Sequence, residues 1–173
     1  QFVPLYPSFA SLPLGQPRQH FRQPFRIGHM ANLTLAKGLD LAIDTFRALH
    51  ERGRNVQLIL AGPFVTPEAE RLVTETVEQF DGLVNYIGPV YDQQKIEYFN
   101  SIDCFLFPTR YDCEAWPIVL NDALDAGLPV CATNRGAIRT LVGDCAGPVI
   151  DEKSYVEVAV RQVEAWMDSP EEY

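Results

Sequence analysis

Short runs that are apolar without interruption alternate along this chain with longer segments whose apolar residues recur at helical spacing. Strands that are apolar throughout must be covered on both faces, which is the condition of a parallel sheet flanked by helices. Strands are therefore predicted over Phe25–Ala31, Val56–Ala61, Val84–Gly88, Cys104–Phe107, Pro129–Thr133 and Pro148–Ile150. Between them a helix is expected from Leu39 toward Gly53, where Leu41, Ile43, Phe46 and Leu49 keep close to a helical period. A second opens at Thr66-Pro67-Glu68 with Thr66 as N-cap and runs to about Phe80. Others follow over Asp92–Asn100, from Pro117 to Gly127, over Ile138–Val142 and over Ser154–Met167. Six strands alternating with helices define an α/β fold: a three-layer, Rossmann-like, doubly wound parallel sheet with right-handed crossovers.

With 173 residues, 47% of them hydrophobic, the chain can build one domain with a sizeable core but not two. Residues 1–24, rich in Pro, Ser, Gln and Arg, read as a linker and lead-in, and residues 25–173 as the domain. No apolar run approaches the roughly 20 residues of a membrane helix and no signal-peptide pattern opens the chain, so a soluble, cytoplasmic domain without a transmembrane segment is expected. Cys104, Cys113, Cys131 and Cys145 lie far apart with no CxxC, which favours buried thiols over disulfides or zinc. A net charge of −9 argues against nucleic acid as a partner and requires a local positive site for any anionic ligand.

Ligands of such sheets bind at the carboxyl ends of the strands, where the strand order reverses. The loops after the first and fourth strands are expected to flank that point, and they carry Asn32–Gly38 and Arg110–Pro117. The stretch around the second loop, from Phe105 to Thr133, is the richest in the sequence. Glu114 stands just before a helix N-terminus and Asp122 one to two turns inside that helix. A helix N-terminus favours anions, so carboxylates placed there point to a ligand with hydroxyl groups as well as phosphate. Each residue also has a plain reading: Lys37 as a solvated lysine, Glu114 as a helix-stabilising acid, Asp122 as solvent-facing and Trp116 as core. Their combination is what carries weight. Of His20, His29 and His50, His29 lies nearest the cleft, and a structural role is expected for it.

Glu114, Trp116, Pro117, Leu120, Asp122, Ala123, Gly127, Pro129, Val130, Ala132 and Thr133 fit the frame PSxxEGFPxxxLEAxAxGxPVxAT. In this the chain resembles the retaining glycosyltransferases of family 4 (group 1), two-domain enzymes of the GT-B fold whose donor-binding domain carries an E-x7-E pair. The spacing here is the family's, but the second acid is Asp122, shorter by one methylene or about 1.5 Å. The first loop, ANLTLAKG, is similar to the family's GRLxxxKG, with Lys37 and Gly38 in place and Asn32 where many members have Arg. Arg110 is then the candidate to supply the second cation.

The resemblance covers Arg26 to about Met167 and implies the C-terminal, donor-binding half of such an enzyme in polysaccharide biosynthesis. It implies a UDP- or GDP-sugar donor, with Lys37 on the diphosphate and Glu114 on hydroxyls of the transferred sugar, both catalytic. Asp122 would hold the ribose, and Asn32 and Arg110 would complete the cationic side. The backbone of Ala115, Trp116, Pro117 and Ile118 would approach sugar and phosphates, and that of Gly88 and Val90 would read the base. No metal and no cofactor are implied, because there is no DxD and Lys37 and helix dipoles face the phosphates. The partner implied is an N-terminal acceptor-binding domain of the same protein, through which any peripheral contact with the inner membrane face would be made. Without it, binding with little or no transfer is expected. Two other classes remain open: a nucleotide-sugar epimerase domain, and a non-catalytic nucleotide-binding module. A receiver would want acids at the end of the first strand and a dinucleotide site GxGxxG, and neither is present.

Overall fold

A computed structural model describes residues 23–112, 114–143 and 146–169. Strands β1 (Phe25–Met30), β2 (Val56–Ala61), β3 (Val84–Tyr86), β4 (Cys104–Phe107), β5 (Val130–Thr133) and β6 (Val149–Ile150) form one six-stranded sheet in the order β3-β2-β1-β4-β5-β6. All pairings are parallel. The expected Rossmann-like, doubly wound α/β architecture is the one observed. The third strand stops at Tyr86, short of the expected Gly88, because Gly88 has a φ of 78° and Pro89 cannot donate to a ladder.

Helices α1 (Leu39–Glu51), α2 (Pro67–Gln79), α3 (Asp92–Ser101), α4 (Ile118–Asp125), α5 (Ile138–Val142) and α6 (Tyr155–Asp168) separate and follow the strands. Their apolar faces explain the layers. In α1, Leu39, Ala42, Ile43, Phe46 and Leu49 recur at helical spacing, are all buried, and share a core with Tyr155, Ala159, Val160, Val163 and Trp166 of α6. Ala69 and Val73 of α2 join that same core. On the opposite face, Tyr98 and Phe99 of α3, Leu120 and Ala123 of α4, and Ile138 and Val142 of α5 pack against Phe105, Phe107 and Val130. Each large side chain so buried contributes about 1.5–3 kcal/mol of transfer free energy, which is why the strands are apolar on both faces.

Thr66 caps α2 as expected, its Oγ1 accepting from the Ala69 N–H at 3.2 Å. Cys104 and Cys131 are buried free thiols on adjacent strands, and burial pushes both above the ordinary thiol range. The expected linker before residue 23 lies outside the described residues, as do Cys113 and Cys145. No described helix is long and apolar enough to cross a membrane.

β1 and β4 are neighbours, although β2, β3 and three helices separate them in sequence. The order reverses between them, so the loops that follow these two strands open the crevice.

Candidate active site

After β1 the chain makes one 3-10 turn, Leu35–Lys37, before α1. Thr34 caps it, with Oγ1 accepting from the Lys37 N–H at 3.1 Å. Gly38 follows with a φ of 78°, and a Cβ there would lie 2.0 Å from the Pro108 carbonyl oxygen. Only glycine lets the first loop pass this close to the loop after β4. A backbone hydrogen bond from the Arg110 N–H to the Ala36 carbonyl, 2.8 Å, adds to the same contact.

The loop after β4 presents Glu114. Its carbonyl oxygen would be 1.7 Å from a Cβ on Gly136, whose φ is 47°, so a third loop closes on the acid from behind. Thr109, fully buried, donates to Glu114 Oε2 at 3.1 Å, and Thr133 Oγ1 donates to the Thr109 carbonyl at 2.6 Å. Glu114 is thus held by the ends of β4 and β5. Lys37 Nζ donates to the same Oε2 at 2.6 Å and lies 4.4 Å from the centre of the Tyr111 ring. Residues 77 positions apart in sequence meet in one contact.

That contact faces a cleft of about 970 Å³. Met30, Asn32 and Lys37 line it from the β1 side, Gly62 and Pro63 from the loop after β2, and Pro89, Val90 and Tyr91 from the loop after β3. Gln93, Lys95 and Ile96 of α3 form one wall, and Glu114, Trp116, Pro117, Ile118, Val119 and Asp122 the other. No side chain caps α4, whose N-cap is Pro117, so the first N–H groups of the helix at Ile118 and Val119 remain available to a ligand at that wall. Asp122, on the second turn of α4 and buried, pairs with Lys95.

Of the residues singled out from the sequence, the cleft brings together Asn32, Lys37, Val90, Glu114, Trp116, Pro117, Ile118 and Asp122. Gly88 and Ala115 flank it without lining it. Arg110 is directed elsewhere: its guanidinium forms a fork with Asp40, Nη1 to Oδ1 at 2.7 Å and Nη2 to Oδ2 at 2.8 Å, and also donates to Glu152 at 3.1 Å and to the Leu35 carbonyl at 2.9 Å. The cation expected to compensate for Asn32 is therefore held behind the loop. His29 is fully buried beneath the loops and outside the cleft lining, with Nδ1 3.0 Å from the Leu106 carbonyl. Burial lowers its pKa to about 4, and its neutral form is the one that packs. Lys95 and Thr109 were not legible as site residues. The Thr109–Glu114 spacing of five residues in a loop gives no periodic signal, and Lys95 reads as one cation on a short polar helix.

Residues 16–173 match the family model of the glycosyl transferases group 1. The chain belongs to that family. It is 29% identical over 129 residues to the amylovoran biosynthesis glycosyltransferase AmsK of Erwinia amylovora, an alignment covering 72% of this chain and 31% of the relative. It spans about a third of the length of the curated relatives it matches. The fold is that of the C-terminal domain of the group 1 glycosyl transferase LpcC from Francisella tularensis, with a TM-score of 0.72 at 16% identity, covering 94% of this chain and 87% of that one. Anabaena HepE, solved in complex with UDP-glucose, superposes with a TM-score of 0.74 at 18% identity over 86% of this chain and 40% of its own.

Proposed function

We propose that this domain binds the nucleotide-sugar donor of a retaining glycosyltransferase of family 4, whose acceptor is held by an N-terminal domain. The observation that carries the reading is the Lys37–Glu114 contact at the switch point, in one cleft with Asp122 and the uncapped start of α4. An ammonium, a helix N-terminus and two carboxylates in one crevice suit a ligand with a diphosphate in the middle and hydroxyls at both ends. UDP-glucose in the structurally similar HepE supports the same class of ligand.

In this reading donor binding draws Lys37 from Glu114 onto the diphosphate. The freed carboxylate accepts hydrogen bonds from hydroxyls of the transferred sugar. As the bond between the anomeric carbon and the diphosphate oxygen breaks, negative charge grows on the leaving group, where Lys37 and the N–H groups of α4 stabilise it. A charge-assisted contact of this kind is worth about 1.5–3 kcal/mol. Asp122 takes the ribose, and the backbone around Val90 faces the base. Charge neutralisation by Lys37 and α4 leaves no step that needs a metal, and EDTA is expected to leave affinity unchanged. The whole protein would work in polysaccharide biosynthesis, by analogy with the capsular polysaccharide biosynthesis glycosyltransferase CapM of Staphylococcus aureus, and a cytoplasmic location is part of this proposal.

Calorimetry of the 173-residue chain against UDP, GDP and their sugars tests this. Nucleoside diphosphate binding that weakens roughly 10- to 150-fold in Lys37→Ala, with slow or absent transfer by the unaltered chain, is expected, and Glu114→Ala should lose the increment in affinity that the sugar adds. Absence of any nucleotide binding, or robust transfer by this chain alone, would contradict the proposal.

A further inference from the structure

The cleft holds a second ion pair whose cation no sequence pattern assigned. Lys95 Nζ from α3 meets Asp122 Oδ2 from α4, so the pair bridges the two walls. The lysine side chain is 26% exposed and the carboxylate side chain 9%, so the lysine is the more accessible member. Asp122 Oδ2 is buried beneath the Lys95 ammonium. An ammonium carries three donors and a carboxylate several acceptor sites, so a pair joined through one oxygen still has sites to offer. Both residues line the cleft, where a ligand can take them.

We propose that Lys95 and Asp122 act together as a clamp for the vicinal hydroxyls of the donor's nucleoside, with Lys95 as a binding residue in its own right. One ribose hydroxyl donates to the Asp122 carboxylate. The oxygen of its neighbour accepts from the Lys95 ammonium. An ammonium has only donors and a carboxylate only acceptors, whereas each hydroxyl is both, so a vicinal diol completes the pair without displacing either member. The short reach of Asp122 fits this arrangement. Lys95 reaches the shorter acid from α3, across the cleft. The two lysines of the cleft then divide the ligand, Lys37 serving the diphosphate and Lys95 the sugar of the nucleoside.

The clamp rests on the donor-site reading above, and the test separates the two. The affinity of the 173-residue chain is measured for UDP or GDP, whichever binds, and for the matching 2′-deoxy and 2′,3′-dideoxy nucleotides. The same series is run on Lys95→Met and Lys95→Arg, with thermal melting to confirm folding. The unaltered chain is expected to bind the ribonucleotide at least tenfold better than the dideoxy form. Lys95→Met should bind the ribonucleotide about tenfold more weakly and discriminate less than threefold, while Lys95→Arg recovers part of the discrimination. If Lys95→Met binds nucleotide and keeps the full discrimination, the clamp is overturned while the donor site stands. If that variant binds the ribonucleotide more tightly, Lys95 is a plug over Asp122 and the clamp is equally overturned. Should the unaltered chain bind no nucleotide, the donor-site reading fails and the clamp with it.

Discussion

Lys37 reaches from the loop after β1 to Glu114 with a single ammonium–carboxylate contact of 2.6 Å, whereas Arg110 reaches back from the loop after β4 to Asp40 with two parallel contacts of 2.7 and 2.8 Å. Both pairs tie the loop after β4 to the segment that follows β1, Lys37 from its turn and Asp40 from α1, yet only the first opens onto the cleft. Lys37 is a point charge on a flexible stem, held by one carboxylate and the face of the Tyr111 ring. It can exchange that partner for a phosphate with little rearrangement. Arg110 already uses four of its five N–H donors on Asp40, Glu152 and the Leu35 carbonyl. Its proton is held more firmly than usual, first by the Asp40 hydrogen bonds. Glu152 also binds Arg135 at 2.6 Å, so the Arg110 fork belongs to a network that fastens the segments after β1, β4, β5 and β6 and helix α1 together. A cation at a switch point is therefore available to a ligand only when the fold leaves it unfinished.

The change that should collapse both pairs is Gly38→Ala. Its Cβ would meet the Pro108 carbonyl in a left-handed backbone conformation, and parting the two loops should cost about 4 kcal/mol. Denaturant titration is expected to show that loss, and nucleotide binding should go with it.

Acid acts on the ground beneath both pairs. His29 has a folded pKa of about 4 against an ordinary 6.5, so below pH 6.5 the unfolded chain takes up a proton that the folded chain refuses. Stability from this residue is complete above pH 6.5 and is lost as pH falls toward 4, by about 3 kcal/mol in all. Urea midpoints measured across that range should fall, and His29→Leu should flatten the His29 part of the slope.

Lys37→Ala separates the pairs from the other side. Nucleoside diphosphate affinity should drop by about 1.5–3 kcal/mol, roughly 10- to 150-fold, by calorimetry, with Arg110 unable to substitute because it is already engaged. Arg110→Met should do the reverse at the smallest scale. Thermal melting is expected to report a loss of about 1–2 kcal/mol from the broken network, while the folded fraction binds nucleotide within about threefold of the unaltered chain. Equal losses of affinity in the two variants would erase the distinction drawn between them.

Much of this was readable before any coordinates. Val56–Ala61, Cys104–Phe107 and Ile138–Val142 have the boundaries their apolar patterns gave, and the remaining elements shift by a few residues at most. Lys37 and Glu114 were legible because a loop between a strand and a helix is a local pattern, and two such loops at a switch point must converge; Asp122 was legible as an acid one to two turns inside the helix that follows Glu114. Arg110 was misread as a cleft residue for a physical reason. Its partner Asp40 is 70 positions away, on a helix whose rotation about its axis no single-sequence period fixes to within one side chain. Lys95 escaped notice because α3 is mostly polar and exposed, so one lysine there has nothing to distinguish it.

The order of apolar runs, helical periods and glycines along this chain determined that it would form a doubly wound parallel sheet, and so which two loops would share a crevice. Backbone hydrogen bonding and burial act through local patterns, which a sequence displays directly. Which cation faces the crevice and which is locked behind it was decided only in three dimensions. That choice depends on long side chains reaching partners far away in sequence, and ion pairing acts over distances of a few ångströms that folding alone sets.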